Sequence, residues 1–215
     1  MKLTVHTFVS LDGVMQGPGG PDEDASGGFE HGGWLVPHID DDFGRIVDGW
    51  FDRVGEFLLG RSTYDMMRVH WSQVTDPEDK VAAALNGLSK HVVSTTLTEP
   101  AWQNTAAVIS SGVPGAVAAL KERPGGELQV HGSCRLLHTL HDAGLIDEYR
   151  LLVCPVVLGS GKRLFAEGAA ASGYTLVHSE TTGAGMVYQV LRPSAAFGTG
   201  DIEVEDGREK LLLPE

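Results

Sequence analysis

Between Glu127 and Phe165 the chain changes its hydrophobic period twice, and a glycine marks each change. ELQV reads as a buried strand, HGS as a turn, CRLLHTLHDA as a helix and Gly144 as its stop. IDEYRLLVCPVVL then reads as a long strand that runs into the glycine loop GSGKRLF. Leu136, Leu137 and Leu140 share one helical face, and Gly144 suits the left-handed residue that ends a helix. A strand, a helix and a second strand in this order form a βαβ crossover in a parallel sheet. The turn also bears on chemistry. A helix that starts at Gly132 and Ser133 points unpaired N–H groups and its positive dipole end outward, which suits a phosphate. Arg135 lies in that first turn, and Lys162 and Arg163 follow the second glycine loop. An acidic chain that keeps cations beside its glycine turns is expected to bind an anion there, first of all a nucleotide cofactor.

The rest of the chain repeats the alternation. Lys2–Val9 reads as a strand. Residues 16–33 hold seven glycines and two prolines and read as a long loop. Phe43, Ile46, Val47, Trp50, Phe51 and Val54 form one apolar helical face, with Asp40 or Asp41 as its cap. Glu56–Leu59 is a short strand ending at Gly60, and Ser62–Val69 a helix capped by Ser62 or Thr63. Asp76-Pro77 opens a further helix with Pro77 near its first position and Val81, Ala82 and Leu85 inward. His91–Ser94 and Ala106–Ile109 read as strands, and Pro114–Arg123 as a helix. Tyr174–Ser179 and Met186–Leu191 read as a closing antiparallel pair. The result is about eight strands interleaved with about five helices: α/β, with a mixed, mostly parallel sheet. Residues 1–196 are expected to form one domain and 197–215 an acidic tail that adds an edge strand or frays.

Composition narrows the function. The formal net charge of −13 argues against binding nucleic acid or anionic membranes. No apolar run reaches the roughly 18 residues of a membrane span. The N-terminus reads as a strand and not as a signal peptide, so a cytoplasmic location is expected. Cys134 and Cys154 form neither a disulfide framework nor a metal spacing. Cys134 reads as a small residue filling a tight turn, in preference to a reactive thiol. His138 and His141 are three apart on a helix but lack a convincing third ligand, so no metal is expected.

Three strand ends carry small polar or cationic residues: Gly60-Arg61-Ser62-Thr63, Ser94-Thr95, and Gly132-Ser133-Cys134-Arg135. Ligands of α/β sheets bind beyond the carboxyl ends of strands, so these three can converge on one extended ligand. No G-x-G-x-x-G follows a strand. Gly159-Ser160-Gly161-Lys162 fails as a P-loop, because Val156 and Arg163 stand at required positions. No G-x-S-x-G elbow is present. Asp12 closes the first strand in Ser10-Leu11-Asp12-Gly13. It reads either as a substrate-facing carboxylate or as an Asx turn. Tyr64 is a weaker candidate donor. Trp34, Trp71 and Tyr64 could line a flat-ring pocket, whereas Trp50 and Phe51 sit at core spacing.

VSLDG (9–13), LLGRSTYD (58–65), HVVSTTL (91–97), VHGSCRLLHTL (130–140) and GLIDEYRLLVCPVVLGSGKRLF (144–165) together resemble the dihydrofolate reductase-like superfamily. The branch they resemble is the RibD C-terminal domain group, the reductase domain of bacterial riboflavin biosynthesis and its stand-alone relatives. The resemblance implies an eight-stranded sheet with NADPH across its strand ends. By position it places Gly60, Arg61, Ser62 and Thr63 at the cofactor phosphates and Ser94 and Thr95 at the adenosine 2′-phosphate. It places Gly132, Ser133, Cys134, Arg135 and Leu136 at the pyrophosphate. Arg61 with the hydroxyls is a sensible reader of the extra phosphate of NADPH. Ser10, Asp12, Gly13, Leu158, Gly159 and Gly161 match substrate positions, with Asp12 as the catalytic carboxylate. Folate reductases carry a carboxylate on the first long helix. Here the inward positions are apolar and Asp48 and Asp52 face solvent, which argues against folate reduction. The chain has no P-C-x-x-C, so the H-x-E and P-C-x-x-C zinc pattern of a deaminase is not complete. The expected activity is hydride transfer from NADPH to a C=N or C=O carbon of a small, pteridine- or pyrimidine-like substrate. A non-catalytic NADP(H)-binding or sensing protein is the alternative, and a homodimer is expected from the resemblance.

Overall fold

The structure is a computed structural model that describes residues 1–194 and 197–213. Its main sheet has eight strands: β1 (Leu3–Ser10), β2 (Val54–Gly60), β3 (Ser89–Val93), β4 (Thr105–Ile109), β5 (Glu127–His131), β6 (Glu148–Cys154), β7 (Tyr174–Thr181) and β8 (Val187–Pro193). The spatial order is β4-β3-β2-β5-β1-β6-β8-β7. Neighbours from β4 to β6 pair in parallel, and β8 runs antiparallel to both β6 and β7. β1 is flanked by β5 and β6 and is buried along nearly its whole length.

Five helices cover the sheet: α1 (Asp41–Trp50), α2 (Arg61–Trp71), α3 (Lys80–Gly87), α4 (Val113–Lys121) and α5 (Cys134–Asp142). One core packs Ile46 and Trp50 of α1, Tyr64 of α2 and Leu85 of α3 against Phe57, Leu59 and Val92. The other packs Val117 of α4 and Leu136, Leu137 and Leu140 of α5 against Leu3, Val5, Leu128 and Val130. The period-2 alternation of β1 decides the split. Val5 and Val9 face α4 and α5, while Phe8 faces the α1 side. Both faces of the sheet are therefore covered, as a parallel sheet requires.

Local chemistry moved several boundaries. α1 is capped by Asp40, whose carboxylate accepts from Phe43 N at 2.8 Å, but it ends at Trp50. Phe51–Arg53 tightens into a 3₁₀ turn and Val54 already belongs to β2, so the apolar face read through Val54 spans three elements. α2 begins at Arg61 with Gly60 as its cap, ahead of the hydroxyls expected to cap it. Asp76 accepts from Glu78 N and holds Asp76-Pro77 in a turn, and Asp79 caps α3 instead. β6 stops at Cys154, and residues 155–158 continue as loop. Among the described residues of the tail no strand joins the main sheet, and residues 214–215 lie outside the described residues. β9 (Asp201–Glu205) and β10 (Arg208–Leu212) pair as a separate two-stranded hairpin, exposed at every position. No described helix is long and apolar enough to cross a membrane.

Candidate active-site cleft

A cleft of about 1130 Å³ opens at the carboxyl ends of the parallel strands. Its polar end is built from the turns after β2, β3, β4 and β5. Gly60, Arg61, Ser62 and Thr63 line it from the first turn, and Ser94 and Thr95 from the second. Gly132, Ser133, Cys134, Arg135 and Leu136 line it from the last. The three strand ends singled out in the sequence therefore meet on one wall. The β4–α4 turn, with Ser110 and Val113, joins them and was not anticipated. Its signal was Gly112, a left-handed residue directly before a helix.

The helix N-termini divide by location. α1 and α3 are capped by Asp40 and Asp79 side chains. α2, α4 and α5, whose first turns line the cleft, have no side-chain cap. Their free N–H groups and positive dipole ends are left to face an anion. Ser133 sits at φ 68° after Gly132 at φ 73°, and its Oγ accepts from Gly60 N at 2.7 Å. That bond ties the β5–α5 turn to the β2–α2 turn. The fit at Gly60 is tight, since a Cβ there would lie 3.1 Å from Ser133 Oγ and Ser133 would have to give way by a few tenths of an ångström. Arg61 is paired with Asp65 at 2.5 Å, while Arg135 has no ion-pair partner among the described residues. The hydroxyls of Ser62 and Thr63 are likewise unpartnered among the described residues. Ser94 Oγ accepts from Thr96 N and Leu97 N, which leaves its own proton to donate. Burial pushes the Cys134 thiol up and its Sγ donates to Arg163 O at 3.2 Å, so it is a filler and not a thiolate.

The other half of the cleft is apolar and aromatic. Phe8, Phe43, Val47, Trp50, Phe51 and Trp71 form its sides, with His6 and His131 among them. Trp50 and Phe51 thus serve the core and the wall together. Trp34 is elsewhere, its indole donating to Gln16 O at 2.8 Å. Tyr64 is buried, bonded to Trp102 N and Thr105 Oγ1 and absent from the wall, so it is not placed as a donor. Glu23, on the long loop, does reach the wall, and burial pushes its carboxyl up.

The expected substrate residues gather at a different place. Ser10, Asp12, Gly13, Leu158, Gly159 and Gly161 are not on the cleft wall. Asp12 Oδ1 accepts from Ser10 Oγ at 2.6 Å and Leu158 N at 3.1 Å, and Oδ2 accepts from Gly159 N at 2.8 Å. Arg163 adds a contact at 3.4 Å. The Ser10 hydroxyl first, and then these N–H groups, hold the Asp12 carboxyl at about 2. A carboxylate so engaged ties the end of β1 to the loop after β6, outside the cleft wall. Gly161 passes so close to Val14 that a Cβ would lie 2.7 Å from its Cγ1, so this glycine serves packing. The neighbouring Lys162 is the loop residue that reaches the wall. Its Nζ pairs with Asp24 at 2.5 Å and Ser26 Oγ at 2.7 Å, tying the glycine loop to the long loop.

The profile of the RibD C-terminal domain family matches residues 1–188. An uncharacterised Bacillus subtilis protein, YyaP, is 29% identical over 188 residues, covering 86% of this chain and 92% of its own. A candidate riboflavin biosynthesis protein from Shewanella sp. PV-4 superposes with a TM-score of 0.63 at 20% identity, over 90% of this chain and 99% of its own. A dihydrofolate reductase from Enterococcus faecalis, solved with NADP(H), superposes at 0.55 with 14% identity, over 89% and 96%. The two structures share the eight-stranded dihydrofolate reductase-like fold with this chain. By the reach of the profile match, the chain belongs to the RibD C-terminal domain family.

Proposed function

We propose that the protein is an NADPH-dependent reductase of a small, flat substrate of pteridine- or pyrimidine-like form. The observation that carries this is the gathering of three uncapped helix N-termini, Arg61, Arg135 and free hydroxyls on one wall of a cleft whose other half is aromatic. The polar end fits a dinucleotide's phosphates. Gly132 and Gly60 let the backbone approach, and the N–H groups of α2 and α5 supply donors. Arg61 with Ser94 and Thr95 suits the additional 2′-phosphate. NADPH bound there would supply the hydride for a C=N or C=O carbon. The chain's own part is to orient the ring between Phe8, Phe43 and Trp50 and to keep water from it.

A second reading, binding without turnover, is favoured by one observation: Asp12, the carboxylate expected to do chemistry, is committed outside the cleft. Substrate-dependent oxidation of NADPH separates the two. The first test is thermal unfolding with NADPH, NADP⁺ and NADH at matched concentrations. A ligand at a hundredfold excess over Kd adds about 2.7 kcal/mol of stability. A clear rise with NADPH and a smaller one with NADH is expected. No rise with any of the three removes the cofactor and the reductase reading with it.

A further inference from the structure

The apolar half of the cleft contains two imidazoles that the cofactor reading does not use. His6 and His131 stack with centroids 4.9 Å apart and planes 18° from parallel, and both belong to the cleft wall. Hydrogen bonds beneath them bear on which ring nitrogen carries the proton. Arg150 grips Glu127 through both carboxylate oxygens, at 2.7 and 3.0 Å, so Glu127 is held as an acceptor. The Thr4 hydroxyl donates its single proton to Glu127 Oε2 at 3.4 Å. With the Thr4 proton directed at that carboxylate, the 3.0 Å contact to His6 Nε2 is made with the imidazole N–H as donor, the tautomer the proposal adopts. Gln129 spends its amide N–H groups on Trp50 O and Glu127 Oε2. Its oxygen therefore faces His131 Nε2 at 2.9 Å, and that nitrogen must donate.

Both rings are thus Nε2–H tautomers with bare Nδ1 atoms. His6 Nδ1 is buried and has no hydrogen-bond partner. His131 Nδ1 has none among the described residues either. A buried acceptor without a donor costs free energy that a ligand can return. The position matters too. His131 immediately precedes Gly132, so the pair stands where the phosphate-type turns end and the aromatic half begins. Trp50, also on the wall, meets His6 edge-on at 5.1 Å.

We propose that His6 and His131 are specificity-determining residues whose two Nδ1 atoms accept paired N–H or O–H donors from an uncharged planar ligand. The proposal deepens the reductase reading and rests on it for the location of the substrate. The neutrality of the pair agrees with its surroundings. Burial pushes the His6 imidazole well below its ordinary range and that of His131 down to about 3, with Arg150 adding to both. A cationic ring would find no counter-charge at these two atoms and would lose its water.

The test uses pterin, an uncharged ring with an amino group beside a ring N–H, and its analogue dimethylated at that amino group. Each is titrated calorimetrically against the whole protein with and without NADP⁺. Wild type is expected to bind pterin and to bind the dimethyl analogue about tenfold or more weakly, and His6→Phe to lose pterin affinity by a similar factor. His6→Phe keeps the stack, and its retained thermal shift with NADPH shows that it is folded. Nitrogen-15 histidine spectra are expected to show His6 Nδ1 bare in the free protein and hydrogen-bonded on adding pterin. A protonated Nδ1, unchanged pterin affinity in His6→Phe, or no pterin binding by wild type overturns the proposal. Absence of any NADPH shift in wild type while pterin binds would instead strike the reductase reading alone.

Discussion

Asp12 gathers hydrogen bonds from its own strand end and from the loop after β6. Its carboxyl is held at about 2, below the ordinary 3.8, chiefly by the Ser10 hydroxyl. A depressed acid contributes its stability above the ordinary value and loses it as pH falls through the lowered one. Asp12→Asn is therefore expected to lower the unfolding midpoint by about 2–4 °C, the scale of ~1 kcal/mol in a chain of this length, at neutral pH. NADPH binding should be unaffected. A variant that melts with wild type would show that this tie holds nothing. Lys90 shifts the same way for the opposite reason, since here the fold disfavours the charged form. It is wholly buried, donates to Leu88 O at 2.8 Å and Gln103 O at 3.0 Å, and lies 4.8 Å from the centre of the Trp102 ring. Burial pushes its ammonium down to about 8 from the ordinary 10.5. Between those values the unfolded chain binds the extra proton, so this group makes stability rise with pH across that window. In urea unfolding, the difference between wild type and Lys90→Met should grow by roughly 2 kcal/mol across the window. Parallel pH profiles would count against it.

Helix ends, more than side chains, set the chemistry of the polar end. Capping was legible for α1, where Asp40 precedes an apolar face, but not for α2. There Ser62 and Thr63 look like caps in the sequence and instead sit inside the helix. The hydroxyls do not cap the helix because Gly60 already turns the chain. Local preference for a Ser or Thr cap lost to the packing of Ser133 against Gly60. Arg61→Ala and Arg135→Ala are each expected to weaken NADPH binding about tenfold, since a charge-assisted bond to phosphate is lost. If Arg61 reads the 2′-phosphate, its loss should spare NADH while that of Arg135 should weaken both. Fluorescence titration of the two nucleotides against both variants decides the assignment. Equal affinities across all pairs would move the phosphates away from these turns. The long loop 16–33 is also explained at this scale. Gln16 donates to Asp24 O and Ser26 O and accepts from Lys162 N, so the loop is fastened to the glycine loop at the cleft edge.

At the scale of the whole molecule, the hairpin of β9 and β10 buries none of its residues, and two strands alone are marginal in water. Removing residues 197–215 is accordingly expected to leave the unfolding midpoint within about 2 °C and the NADPH shift intact. A larger fall would show that the hairpin packs on a surface outside this chain. The α/β class, the crossover at Glu127–Phe165 and the three glycine and hydroxyl turns at the strand ends were written in the sequence. Each depends on contacts a few residues apart: a period, a glycine, a first-turn cation. The aromatic half was not. Ser10, Asp12, Gly13, Leu158, Gly159 and Gly161 are neighbours in space, as the motif reading implied, but nothing local tells whether a strand end opens into a cleft or under a loop. His6 and His131 lie 125 positions apart and meet because β1 and β5 pair in parallel register. In the sequence each is a lone histidine inside an apolar strand, with nothing to distinguish a core ring from a wall ring. Strand order decided that, because only long-range pairing sets which side chains share a face and which of them are left without a partner.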